Sequence, residues 1–134
     1  MIQNKIVARY QDGRIHKGVT NDFFPNKDLF HLIPVNALPG TPPIKVSIQD
    51  LKAVFFVKTF EGNPAYNDKK EFNAGKTAVG RKIKVIFKDG EVLVGTTHGY
   101  QPGRSGFFIV PADPHSNIER CFVISAATNE VSFI

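Results

Sequence analysis

The sequence predicts an all-β protein made of two tandem copies of one small, five-stranded, barrel-like unit, spanning residues 1–57 and 78–134. Three observations lead there. Aromatic residues are skewed toward phenylalanine, with Phe 12, Tyr 3 and Trp 0 in 134 residues, and aromatic and β-branched side chains suit the pleated surface of strands. Apolar and polar residues alternate in short runs broken by Gly, Pro and Asp, which is the period of half-buried strands. Finally, at an offset of 77 residues KIVARYQDGRIHKGVTNDFFPNKDLFHLIP (Lys5–Pro34) lies without a gap over KIKVIFKDGEVLVGTTHGYQPGRSGFFIVP (Lys82–Pro111). The shared positions include Ile6/Ile83, Asp12/Asp89, Gly13/Gly90, Gly18/Gly95, Thr20/Thr97, Pro25/Pro102, Phe30/Phe107 and Pro34/Pro111. Self-similarity at a fixed offset marks a repeated structural unit, and here Gly and Pro recur at punctuation points where their backbone roles are specific.

Each copy reads as the same series of elements. In the first strand Ile6, Ala8 and Tyr10 point inward and alternate with Val7, Arg9 and Gln11. Its counterpart has Ile83, Val85 and Phe87 inward, with Lys82, Lys84 and Lys88 outward. Asp12-Gly13 and Asp89-Gly90 follow, a hairpin signal for which a type I′ turn is expected. The second strand covers Ile15–Thr20 and Val92–Thr97, and its interior glycine, Gly18 or Gly95, predicts a bulge or sharp bend. After the loops Asn21–Asp28 and His98–Ser105, a third strand runs Leu29–Ile33 and Gly106–Val110, ended by Pro34 and Pro111. Longer loops, Val35–Pro43 and Ala112–Arg120, precede a fourth strand at Ile44–Ile48 and Cys121–Ser125. A tight polar turn, Gln49–Lys52 or Ala126–Asn129, leads to the last strand, Ala53–Val57 or Glu130–Ile134.

Between the copies, Lys58–Thr77 is polar, contains Gly62, Pro64 and Gly75, and reads as a linker that Phe60, Tyr66 and Phe72 can pin to a barrel. A unit of this size buries only about 60% of its unfolded surface and is marginal alone. The two copies are therefore expected to pack together.

Five short strands, a bent second strand and a one-turn connection before the fifth describe an SH3-like or Sm-like barrel. The run from Val7 to Pro34 resembles the first half of the Sm signature, which falls here on Asp12, Gly13, Gly18, Phe23 or Phe24, and Asn26. The second copy departs from it at Gly99 and Gly103. Over nearly its full length the chain also resembles a bacterial family that carries DGRIHKGVTNDFFPN-like, LKAVFFV-like and DGEVLVGTTHGYQPGRSGFFIVPADPHSNIER-like stretches. That resemblance implies a setting in bacterial signalling, sometimes beside a cyclic-dinucleotide receptor domain, and brings no activity with it.

Net charge is +5, from 17 Lys+Arg and 12 Asp+Glu, without a basic tract. This permits contact with nucleic acid or anionic surfaces but does not argue for either. Cys121 is the single cysteine, so no intrachain disulfide forms, in keeping with a reducing compartment. The stretch MIQNKIVARY does not read as a signal peptide, and no apolar run approaches the ~20 residues needed to span a bilayer. The expectation is a soluble cytoplasmic protein with no membrane contact.

Candidate binding residues lie on the loops. Phe23, Phe24 and the matching Tyr100 either cap a barrel end or form a sticky patch; capping is the preferred reading. Lys27 and Arg104 occupy equivalent places, and Arg104 sits in a Gly-rich loop whose amides suit a phosphate. The richest polar stretch, PADPHSNIERC, adds His115, Asn117 and Arg120. His115 and Cys121 stand at no recognised ligand spacing, so neither metal nor cofactor is expected. Lys5, Arg9, Lys82, Lys84 and Lys88 form a basic stripe, read first as edge protection. No Ser or Cys has a base at catalytic spacing, so no enzyme is expected. The leading expectation is a non-enzymatic adaptor that binds a protein partner through loop aromatics. The alternative is a nucleic-acid or nucleotide binder using the basic face and Arg104, and a third is a homo-oligomer built by strand pairing.

Overall fold

The computed structural model describes residues 3–60, 80–101, 103–113 and 116–134. Its strands are β1 (Asn4–Tyr10), β2 (Ile15–Thr20), β3 (Leu29–Pro34), β4 (Ile44–Ser47), β5 (Leu51–Val57), β6 (Arg81–Phe87), β7 (Val92–Thr97), β8 (Gly106–Pro111), β9 (Ile118–Ile124) and β10 (Thr128–Phe133). A single 3-10 turn precedes the last strand of each half, at Ile48–Asp50 and Ser125–Ala127. Most boundaries fall within a residue or two of those predicted. The exception is β9: Ile118–Arg120, expected in a loop, belong to the strand.

The two halves share one register. β1 pairs β2 from Asn4↔Thr20 to Arg9↔Ile15, and β6 pairs β7 from Arg81↔Thr97 to Ile86↔Val92, each pair displaced by 77. Gly18↔Pro34 and Gly95↔Pro111 join the next strands in the same way. The Asp-Gly hairpins form, but with a different turn. Only Gly13 (φ 96) and Gly90 (φ 92) have positive φ there. Tyr10 N donates to Arg14 O at 2.9 Å and Gly13 N to Tyr10 O at 3.1 Å. Three residues thus form the loop, a type I turn closed by a left-handed glycine, which spares the aspartate the strain of a type I′ turn.

The ladder differs from two separate barrels. It is one antiparallel sheet of ten strands in the order β10-β6-β7-β8-β9-β5-β1-β2-β3-β4, and its end strands β10 and β4 do not pair with each other. The halves are joined by β5 and β9, with Ala53↔Val123, Val54↔Phe122 and Phe55↔Cys121 in register.

That junction shares out the core. Successive side chains of a strand point to opposite faces, so β5 sends Val54 and Phe56 into a first cluster with Ile6, Phe30, Leu32 and Val46. It sends Ala53, Phe55 and Val57 into a second with Ile83, Val85, Phe87 and Ile109. In return β9 contributes Phe122 and Ile124 to the first cluster. Each core is completed by a strand of the other half. The uninterrupted run LKAVFFV is the sequence trace of this, since a strand buried on both faces loses its alternation.

Cys121 sits at this junction with 0% exposure, and burial raises its thiol pKa well above the ordinary value. The thiolate is the reactive form, so native protein is expected to resist a thiol reagent while unfolded protein labels promptly. Labelling of the folded chain at the unfolded rate would show that β5 and β9 do not pair.

The basic stripe does not form one row. β1 carries Lys5 and Arg9, β6 carries Lys82, Lys84 and the approach to Lys88, and four strands separate the two. Phe60 packs against the second core. Most of the predicted linker, including Tyr66 and Phe72, lies outside the described residues, as do Pro102 and His115. Among the described residues no helix is long and apolar enough to cross a membrane.

Candidate functional site

The loop between β2 and β3 turns on Lys27, whose N–H donates to Phe24 O at 3.1 Å. Its tip is fastened to the 3-10 turn by Ile48 N donating to Asp28 O at 2.9 Å. The second half repeats this fastening between Ser125 N and Ser105 O, also at 2.9 Å, with Gly103 (φ 91) making the reversal before Arg104. Because β5 and β9 lie side by side, the two loop-and-turn assemblies come together and enclose a cleft of about 490 Å³. Lys27 and Asp28 with Ser47–Gln49 form one side, and Arg104 and Ser105 with Ile124–Ala126 form the other. Every lining residue has its counterpart 77 positions away, so the cleft is built by the repeat itself.

Its chemistry is uneven. Lys27 and Arg104 are exposed, and among the described residues neither is paired to a carboxylate. The Lys27 ammonium lies 5.0 Å from the Phe24 ring centre. Asp28 on one side is matched by Ser105 on the other, so the Arg104 side is the more favourable to an anion. A guanidinium beside a hydroxyl and loop amides offers the fork-like donor set that phosphate accepts. Beside this cleft, Asp22 Oδ2 lies 2.7 Å from His31 Nδ1, and its Oδ1 accepts from the Thr20 hydroxyl at 3.0 Å. Burial raises the Asp22 carboxyl, but hydrogen bonds from His31 and Thr20 outweigh it and hold the group below its ordinary pKa. The second half has Gly99 and Phe108 at these places, so this pair has no counterpart.

The other expected site residues have structural duties. Phe23 turns inward, its ring edge-on to Phe30 at 5.2 Å, Phe56 at 5.5 Å and Phe122 at 5.4 Å. It caps the first core and touches the other half. Tyr100 likewise packs on Phe107 at 4.7 Å and Phe133 at 5.8 Å. Only Phe24 of the three aromatics stands out, 47% exposed. Asn117 clasps the chain after β5: its amide accepts from Thr59 N at 3.0 Å and donates to Thr59 O at 2.9 Å. The Arg120 guanidinium lies over Phe56 at 4.2 Å and Phe108 at 4.9 Å, covering the aromatic cluster. His115 lies outside the described residues. Of the expected site residues Lys27 and Arg104 line one cleft together, with Phe24 beside Lys27.

One polar cluster was hidden from the sequence. Lys52, expected in a tight polar turn, is the second residue of β5 and is only 4% exposed. Its ammonium bonds to Asp89 at 2.7 Å and to Glu91, and lies 4.6 Å from the Phe87 ring centre. Arg9 also reaches Glu91, at 3.1 Å. The Lys52 hydrogen bond is the main reason Asp89 titrates below its ordinary value. The hairpin of the second half is thereby tied to β5 and β1 of the first. Both carboxylates remain about half solvated, and the hollow beside Lys52 and Asp89 holds only about 140 Å³, below the range of small-molecule sites, so the cluster reads as a tie. A Lys after a polar turn carries no sequence mark of burial. The one hint is charge: Glu91 stands where the first half has Arg14. Among the described residues no cluster of His, Cys, Asp and Glu has the arrangement of a metal centre.

The chain belongs to a family of unknown function (DUF6982), whose model matches residues 2–134. Neither a curated protein nor a solved structure matches it.

Proposed function

We propose that this protein is a non-enzymatic binding module that takes a phosphate-bearing ligand, a nucleotide or a short nucleic-acid segment, in the cleft between its halves. The observation that carries the reading is the convergence there of Lys27 and Arg104, exposed and without carboxylate partners among the described residues. A cleft of about 490 Å³ lies in the range of small-molecule sites, and Ile48 and Ile124 supply an apolar floor. Arg104 with Ser105 holds the phosphate; Lys27 adds long-range attraction. The loop-aromatic adaptor reading is weaker, because Phe23 and Tyr100 are engaged in the cores and only Phe24 is left to a protein partner.

The finer architectural reading, two SH3-like or Sm-like barrels fused through one strand pair, is supported by the equal strand order of the halves and by the 3-10 turn before each last strand. A setting in bacterial signalling rests on the resemblance of its three long motifs.

The test is fluorescence anisotropy with labelled single-stranded RNA and DNA, and with labelled mononucleotides, at low and high salt. Binding is expected at low salt, falling as salt rises because counterions are displaced. Lys27→Ala with Arg104→Ala should weaken it at least about tenfold, near 1.4 kcal/mol. Absence of binding by every probe at low salt, or binding indifferent to the double substitution, would sink the proposal.

A further inference from the structure

Among the described residues the sheet has two open edges, and they are the two edges the repeat has already shown how to join. Moving each partner of the internal junction by 77 residues turns β5 into β10 and β9 into β4. The pairs Ala53↔Val123, Val54↔Phe122 and Phe55↔Cys121 then become Glu130↔Val46, Val131↔Lys45 and Ser132↔Ile44. β10 and β4 are the end strands of the sheet and do not pair with each other, so this junction is not made within the molecule.

The backbone is set for it. Ile48 N donates to Asp28 O on the β3 side, so by alternation Ile44 and Val46 also point toward β3, and the N–H groups of Lys45 and Ser47 point away from the sheet. Ile134 N donates to Lys82 O on the β6 side, which leaves those of Val131 and Phe133 pointing outward. Lys45 and Val131 are the very pair the shifted register brings together. Side chains agree. Phe56 and Val57 are 3% and 8% exposed beside β9, whereas their counterparts Phe133 and Ile134 are 40% and 60% exposed. Apolar residues are thus kept at an edge where the equivalent edge is covered. Two features limit the contact. Pro42 and Pro43 stand where β9 has Glu119 and Arg120, which removes donors and confines pairing to Ile44–Ser47. Glu130 and Ser132 replace Ala53 and Phe55, making the edge more polar than β5.

We propose that β10 of one molecule pairs antiparallel with β4 of a second copy, head to tail, repeating the internal junction over a shorter span. The same displacement sets the Arg104 loop of one copy beside the Lys27 loop of the next, so the contact would recreate the cleft between molecules. The inference stands on the strand edges and does not need the cleft to bind a ligand.

The test is sedimentation velocity of the full chain from about 1 μM to about 1 mM, the range in which a short strand pairing dissociates. Mass is expected to rise above the 14.9 kDa of one chain. Lys45→Pro and Phe133→Pro each remove an outward N–H and leave the ladder hydrogen bonds to the strands of His31 and Ile83 in place. The second also removes the ring that packs on Tyr100, so circular dichroism must show that both variants keep the fold, and each should then shift assembly at least about tenfold to higher concentration. Mixing the two variants should restore a dimer containing one of each, because each retains the edge the other has lost. A mass fixed at one chain throughout, an assembly indifferent to Lys45→Pro, or failure of the mixture to dimerise overturns the proposal.

Discussion

Gly95→Ala is expected to destabilise the protein by about 3 kcal/mol or more, at or above the upper range of overpacking. A Cβ at this position would stand 2.1 Å from Val110 O and 2.6 Å from the Ile109 Cγ2 atom. No real Cβ tolerates such an approach, and the nearest atom is a backbone carbonyl. Relief would require β8 to withdraw from β7, where Gly95↔Pro111 and Thr96↔Val110 are the only paired residues. Gly18→Ala meets the same obstacle, 2.2 Å from Ile33 O. The contrast is Gly13→Ala, whose Cβ would meet nothing within 4 Å but whose φ of +96 is strained for an L residue; its expected cost is roughly 1 kcal/mol. Domains of this size carry about 5–15 kcal/mol in all, so urea denaturation should separate the two classes clearly. A Gly95→Ala midpoint as high as that of the native chain would mean that β7 and β8 do not approach this closely.

Phe122→Ala should cost about 3–5 kcal/mol, as for other buried aromatics, and should lower the stability of both halves together. Phe122 lies on β9 of the second half, yet it is buried in the core of the first. Its ring meets Phe23 at 5.4 Å and Phe108 at 5.0 Å, so truncation opens a cavity between the halves. Urea unfolding monitored by circular dichroism and by Cys121 labelling should give one shifted transition for both probes. Two separated transitions would show that the halves fold independently and that the shared core does not couple them.

The frame of this fold is legible because it rests on local rules. Alternation in Lys5–Tyr10, the Asp-Gly turns and the punctuating prolines act within a few residues, and they place β1, β2 and β3 and their counterparts closely. The type of the Asp-Gly turn was not legible, since loop length depends on which residues of the flanking strands pair. The extent of β9 was missed for a related reason: Ile118–Arg120 look like loop until β5 lies beside them.

The candidate site was half legible. Lys27 and Arg104 align in the repeat, which makes them comparable, but nothing in the alignment says they are neighbours. The aromatics were open to two readings, of which the preferred one, capping, fits Phe23 and Tyr100 but not Phe24. A Phe-Phe pair in a loop reads as either cap or patch, and the choice falls to Phe56, Phe108 and Phe122, which lie far away in sequence and gather around Phe23. Lys52 was not legible at all, because its burial depends on Asp89 and Glu91 arriving from the other half.

By itself, then, the duplicated sequence determined two copies of one five-stranded unit in one register, with loops that differ in charge. Only the tertiary structure decided that β5 and β9 pair, that each core borrows a strand from the other half, and that Lys27 and Arg104 share a cleft. The physical reason is range. Turn chemistry and alternation are properties of adjacent residues, whereas the joining of two equivalent units depends on which edges remain unpaired once each has formed, and on the apolar surface of LKAVFFV that neither unit can bury alone.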